Sequence, residues 1–268
     1  MRVTICGVAG RMGRANLEVC MASKDTVVIG AVESENSPYI GKDAGMLIGH
    51  EGIGVTVTTS LENVIQDTDV VIDFTTVSAS LNHTSIVNKY KKAIVIGTTG
   101  FNDEQRASIK EYAKDIPILL SPNMSLGVNT LFYLVGRAAE LLGEEFDVEI
   151  VEIHHNEKKD APSGTALQFG RIIAEARGGD IRELAVYGRE GHIGARKKGE
   201  IGIMSLRAAD IVGDHTIIFG GPGERIEFIH RSNSRRNYAT GALRAAQFIA
   251  GKKSGFYTMA DVLRLYSN

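Results

Sequence analysis

Tryptophan is absent from the 268 residues, and cysteine occurs only at Cys6 and Cys20, both in apolar segments near the start. Two such thiols exclude a disulfide framework and fit a reducing compartment. No apolar run approaches the roughly 20 residues that a membrane-spanning helix requires. The opening MRVTIC lacks a basic stretch followed by a long apolar one, so no secretory signal is expected. Charge is nearly balanced, 30 Lys and Arg against 32 Asp and Glu, which gives no reason to expect nucleic acid or another polyanion as partner. Internal repeats and low-complexity segments are also missing. These absences lead to the expectation of a soluble, cytoplasmic globular protein with no membrane contact. Its 43% hydrophobic fraction is sufficient for a sizeable core.

What the chain has in quantity is glycine, 30 residues of it. Residues 2–6, RVTIC, read as a short buried strand. They run into G-V-A-G-R-M-G, from Gly7 to Gly13, and a helical pattern follows with Leu17, Cys20 and Met21 on one face. A second strand, residues 26–32, ends at Glu33. Strand, glycine turn, helix, strand and acid are the order of a dinucleotide-binding βαβ unit. Gly7 permits the turn, Gly10 lets backbone approach a pyrophosphate, and Gly13 lets the helix pack on the strand. Glu33 stands 20 residues after Gly13, where a ribose-binding carboxylate is expected (about 20 residues on). Further apolar runs at residues 69–74, 93–96 and 116–120 each end in a polar loop. Alternating strands and helices imply a Rossmann-like, doubly wound parallel sheet, whose ligands bind at the strand C-termini. Gly97, Thr98 and Thr99, with Ser121, Pro122, Asn123 and Met124, thus become candidates for the nicotinamide end.

After residue 146 the pattern changes to alternating strands, at 147–155, 201–207, 215–220 and 224–231, the last two joined by G-G-P-G. This reads as a second α+β domain on an open mixed or antiparallel sheet, with one face able to pack on another subunit. The final helical segment, with Ala239, Leu243, Ala246 and Ile249 on one stripe, is expected to return to the first domain. The expected division is residues 1–125 plus 235–268 for the dinucleotide and 126–234 for substrate and oligomerisation.

The strand from 147 ends in His154 and His155, followed by N-E-K-K-D-A-P-S-G-T-A. Ser163 can cap the helix that follows, so the N–H groups of Gly164 and Thr165 open an anion site. His154, His155, Lys158 and Lys159 beside it suit a small substrate bearing carboxylates, and His and Lys can deliver protons. A solvated turn is the plainer reading for Lys159, and adjacent strand histidines face opposite sides. No third ligand has convincing spacing for zinc, so no metal is expected.

The run E-I-H-H-N-E-K-K-D-A-P-S-G-T-A closely resembles the signature of the 4-hydroxy-tetrahydrodipicolinate reductase (dihydrodipicolinate reductase) family. G-V-A-G-R-M-G, D-F-T, G-T-T-G-F and S-P-N-M-S-L-G-V-N extend the resemblance over essentially the whole chain. It implies reduction of a cyclic imine dicarboxylate by NADH and/or NADPH, in diaminopimelate and lysine biosynthesis, by a homotetramer joined through the second-domain sheet. It implies His154 as acid/base, Lys158 as proton donor and His155 as their substrate-binding neighbour. Ser163, Gly164 and Thr165 then belong to the substrate site. Gly7, Val8, Ala9, Gly10, Arg11, Met12 and Glu33 match cofactor contacts, as do the 97–99 and 121–124 loops. Departures exist: Asn156 and Glu157 replace a basic pair, and Ser34 and Thr76 stand where NADPH-using relatives often carry basic residues. Two other classes fit less well. A nucleotide-sensing regulator would carry a basic DNA-binding module, and none is visible. A semialdehyde dehydrogenase would need a cysteine in the second half.

Overall fold

The computed structural model describes residues 1–265. The chain divides into two compact units, Met1–Leu126 with Arg235–Asn268, and Gly127–Ser234.

In the first unit the elements run β1 (Arg2–Cys6), α1 (Arg11–Ala22), β2 (Val27–Val32), β3 (Val57–Thr58), β4 (Val70–Asp73), α2 (Val77–Lys89), β5 (Ala93–Ile96), α3 (Asp103–Tyr112) and β6 (Pro117–Leu120). Helix α4 (Leu126–Leu142) then enters the second unit. The first unit's strands, with β12 added from the C-terminal segment, form one sheet in the order β12-β6-β5-β4-β1-β2-β3. Every pairing is parallel. The central strands are buried on both faces, which is why they read as unbroken apolar runs. Val3, Ile5, Val70 and Ile72 join one cluster with Leu17, Cys20, Ala239 and Ala246. Val71, Ile94 and Ile96 join another with Val87 and Ile109. A single methylene too few in such layers is felt, so trimming Ile72 to alanine should cost roughly 2–5 kcal/mol. Strand order reverses beside β1, and loops at that end are where ligands of such sheets bind.

The second unit continues with β7 (Asp147–His154), α5 (Gly164–Ala176), α6 (Ile181–Leu184), β8 (Ala185–Val186), β9 (Ile201–Arg207), β10 (Gly213–Gly221) and β11 (Glu224–Ser232). The chain then returns to the first unit as α7 (Arg236–Ile249), β12 (Gly255–Tyr257) and α8 (Met259–Leu263). The second sheet is mixed, in the order β11-β10-β7-β9-β8. Strand β7 pairs antiparallel with β10 and parallel with β9. One face carries Val148, Ile150, Ile201, Ile203, Ile217 and Phe219 against Val128 and Val135 of α4 and Phe169 and Ile173 of α5. By register the other face carries Val151, Ile153, Met204, Leu206, Ile218 and Ile229. It is open: Leu206 and Ile229 are 49% and 48% exposed.

The parallel sheet and the mixed sheet are those expected from the pattern. Boundaries moved by one or two residues: the strand expected at 69–74 is Val70–Asp73, and that expected at 215–220 is Gly213–Gly221. The strand read up to His155 stops at His154, because the next residues turn.

Candidate active-site residues

The glycine loop is shaped by steric necessity. Gly7 adopts φ +76°, and a Cβ there would come within 2.8 Å of the Phe74 carbonyl oxygen. A Cβ at Gly13 would collide with the Gly7 carbonyl and approach the Val8 Cα to 2.6 Å. Helix α1 starts at Gly10 with no side-chain cap and no acid in its first turn. Its end is thus left open to a phosphate, by dipole and by N–H groups. Glu33 Oε2 accepts the Ala9 N–H at 2.9 Å, and Oε1 accepts its own neighbour Ser34 N–H at 2.9 Å. The acid therefore sits against the loop and keeps lone pairs for a ribose hydroxyl. Arg11 and Ser34 are exposed, Met12 is half-buried and Val8 is buried. Arg14, not foreseen in the sequence, braces the loop: its guanidinium donates to the Ala9 carbonyl at 3.0 Å, the Leu47 carbonyl at 2.9 Å and the Tyr39 hydroxyl at 3.0 Å.

The two other loops lie at the C-ends of β5 and β6. Thr98 is buried, while Thr99 is exposed. Gly97 packs under the Phe74 ring, where any Cβ would collide. Ser121 Oγ donates to the Asn123 carbonyl at 2.7 Å, and Asn123 Oδ1 accepts the Ser125 N–H at 2.9 Å. Pro122 is exposed and Met124 is buried. These residues fit a dinucleotide: tight glycines, an open helix start and an acid at the end of β2.

In the second unit, the alternation that buries Val148 and Ile150 also buries Glu152 and His154 on the same face of β7. His155 lies just beyond the strand, where the chain turns, and is half-buried. Glu152 has no exposed side chain and is fully engaged. It accepts the His154 Nδ1–H at 2.5 Å, both Arg207 amino groups at 2.9 and 3.0 Å, and the Ser163 N–H at 3.1 Å. Burial pushes its pKa up, but the hydrogen bonds from His154 and Arg207 prevail and hold it down at about 2. An ionised carboxylate can only accept, so Nδ1 of His154 carries the hydrogen and Nε2 remains for a substrate. His215 stands edge-on to His154, with ring centres 5.2 Å apart. Burial, then the charge of His154, lowers its pKa to about 3, so it is neutral at ordinary pH.

Ser163 caps α5, its Oγ accepting the Ala166 N–H at 3.1 Å. Gly164 at the helix start is exposed and Thr165 is half-buried. Lys158 Nζ donates to Asp160 Oδ1 at 2.8 Å with its side chain 20% exposed, whereas Lys159 is exposed. Arg207 joins the two expected catalytic residues, for it also donates to the Asp160 carbonyl at 2.7 Å. Glu152, Arg207 and His215 were not singled out in the sequence. The parity of residues 148, 150, 152 and 154 carries the signal for Glu152. Arg207 and His215 lie more than fifty residues away and leave no local trace.

Among the described residues, Cys6, Asp73 and His83 bring a thiol, a carboxylate and an imidazole nitrogen within 4.8 Å of one another, a set that could hold a metal ion. No spacing in the sequence signals it. Burial, reinforced by Asp73 and Glu33, pushes the Cys6 thiol well up, which opposes the thiolate a metal needs.

A parallel sheet with an open glycine-loop helix in one unit and a buried Glu-His-Arg cluster in the other define a dinucleotide-dependent reductase of two-domain type. Residues 1–124 match the N-terminal family profile of dihydrodipicolinate reductase, and residues 127–263 match its C-terminal profile. The chain is 48% identical over 265 residues to the 4-hydroxy-tetrahydrodipicolinate reductase of Trichlorobacter lovleyi, covering 99% of both. It is equally similar to that of Geotalea uraniireducens, 48% over 265 residues and again 99% of both. A dipicolinate-bound dihydrodipicolinate reductase from a Paenisporosarcina species superposes with a TM-score of 0.73 at 27% identity, over 97% of this chain and 98% of that one. The chain belongs to the dihydrodipicolinate reductase family.

Proposed function

We propose that the protein reduces 4-hydroxy-tetrahydrodipicolinate to tetrahydrodipicolinate with loss of water, in the biosynthesis of diaminopimelate and lysine. The dinucleotide, NADH or NADPH, supplies the hydride, which adds at C4 of the ring once the 4-hydroxyl has left as water. The residues of this chain do the rest. The open start of α1 and Glu33 hold the dinucleotide, with the 97–99 and 121–124 loops toward its nicotinamide. Gly164 and Thr165, behind the Ser163 cap, hold a carboxylate at the start of α5. His154 and Lys158 manage the proton that a ring carbon takes up. His155 borders the substrate. Cations and helix N–H groups act most where negative charge develops in the transition state.

The observation that carries this reading is the Glu152 network: it fixes one tautomer of His154 and, through Arg207 and Asp160, ties Lys158 to the same cluster. The exposed apolar face of the second sheet supports assembly into a homotetramer, and the reduced thiols support a cytoplasmic setting. The test is oxidation of NADH or NADPH on adding the fresh condensation product of pyruvate and aspartate semialdehyde. Absorbance loss at the nicotinamide band is expected. No turnover with either nucleotide would refute the reaction. Light scattering at four chain masses checks the assembly.

A further inference from the structure

The acid at the end of β4 is not explained by the reaction. Asp73 has no exposed surface, yet it gathers donors from three directions. Its Oδ1 accepts the Thr75 N–H at 3.0 Å, the Thr75 hydroxyl at 2.6 Å and the Ser80 hydroxyl at 2.8 Å. Its Oδ2 meets His83 Nδ1 of α2 at 2.6 Å. As a carboxylate Asp73 can only accept, so His83 donates. With its proton given to Asp73, Ser80 accepts from Thr98, 2.7 Å away. Thr98 Oγ1 in turn accepts the Thr75 N–H at 3.1 Å. The network thus closes on itself through the loops after β4 and β5. Residues 74 and 75 also wedge against the glycine loop, since the Phe74 carbonyl and Thr75 methyl lie where a Gly7 side chain would be. Gly97 is roofed by the Phe74 ring.

We propose that Asp73 and His83 are positioning residues for the dinucleotide, locking the loops after β4 and β5 against the glycine loop. The inference rests on the dinucleotide reading of this unit. The pair acts through Thr75, Ser80 and Thr98, whose hydroxyls all converge on Asp73 Oδ1, at 2.6, 2.8 and 3.3 Å. A buried, fully satisfied network of this kind gives a unique geometry, and a half-satisfied one does not.

The test measures NADH affinity directly, by fluorescence titration, beside steady-state kinetics and thermal unfolding. His83→Leu leaves Asp73 short of a donor and should weaken NADH roughly tenfold, while KM for the dicarboxylate stays near that of the parent. His83→Gln, whose amide can donate to Asp73, should recover most of the affinity. Should His83→Leu fail to fold, Asp73→Asn reads the same quantity, since it keeps an acceptor for Thr75 and Ser80 and removes the charge. A lower melting temperature with unchanged NADH affinity would make the pair merely structural and overturn the proposal. So would loss of NADH binding on chelation with restoration by zinc, which would make Cys6, Asp73 and His83 a metal centre. Failure of the parent protein to bind either nucleotide would overturn the reading of the unit, and the proposal with it.

Discussion

The two helix starts proposed to hold ligands are built in opposite ways. Helix α1 begins at a glycine with no side-chain cap and no charged residue tied to its first N–H groups. Helix α5 begins at a serine that caps it, backed by a buried glutamate and flanked by two histidines and an arginine. The difference follows from what each must do. A pyrophosphate keeps its charge throughout a turnover, so backbone N–H groups and a dipole suffice, and glycine lets them come close. A substrate that takes up a proton needs ionisable groups in defined states. Those states are fixed by burying an ionised carboxylate among its donors, at the cost of desolvating it.

That contrast predicts where catalysis breaks. Lys158→Ala or His154→Ala should lower kcat by roughly 10²–10⁴-fold with the fold intact, as removal of a general acid or base does. Lys159→Ala, at an exposed position, should change little. Equal losses at both lysines would mean that the cluster acts only by its positive charge.

Acid stability should separate the units next. Glu152, at about 2 in the folded chain, is held below its ordinary 4.5, so its contribution is full above pH 4.5 and is lost as pH falls toward 2. His215, at about 3 against an ordinary 6.5, is neutral when folded and takes a proton when unfolded, so stability declines as pH falls from 6.5 toward 3. The His215 shift alone ties on the order of 5 kcal/mol of stability to pH in the second unit, most of it lost above pH 4. Chemical denaturation from pH 7 to 4 should show it, and His215→Leu should flatten the slope. A slope unchanged by that substitution would assign the loss to other groups.

The two regions were also unequally legible. Unbroken apolar runs and glycine spacing announced β1, α1, β2 and the acid Glu33, because each feature is local. The same held for Ser163, whose capping role needs only the residues that follow it. Glu152 was readable in principle from strand parity. Arg207 and His215 were not, since β9 and β10 reach β7 only through the sheet register. His83 meets Asp73 through a helix packed on the sheet, and no periodicity records which polar residue of a helix turns inward. The two-residue strands β3 and β8 and the short helix α6 are too brief to have a period at all.

The glycine loop gives a smaller, purely steric effect. Gly13→Ala places a methyl against the Gly7 carbonyl and Val8 backbone, neither of which is a flexible side-chain end. A destabilisation of about 1–3 kcal/mol is expected, with NADH affinity falling in parallel. Gly41→Ala faces open space but has φ +79°, so it tests backbone strain alone. It should leave NADH affinity unchanged.

The smallest effect concerns which nucleotide the open helix prefers. Glu33 is anchored by the Ala9 and Ser34 N–H groups, one on each oxygen, and so cannot swing away. An adenosine 2′-hydroxyl can donate to it, a charge-assisted bond worth about 1.5–3 kcal/mol net. A 2′-phosphate would instead meet that negative charge, with exposed Ser34 and Thr76 offering only hydroxyls. Exposed Arg11 in the glycine loop is a cation able to approach the phosphate, which keeps NADPH a usable second cofactor. NADH should therefore serve at least as well as NADPH in kcat/KM. Ser34→Arg should shift the ratio toward NADPH by roughly tenfold, since a guanidinium pairs with phosphate through two parallel bonds. A parent enzyme that strongly prefers NADPH, with a ratio that Ser34→Arg leaves unchanged, would show that the end of β2 does not choose the cofactor.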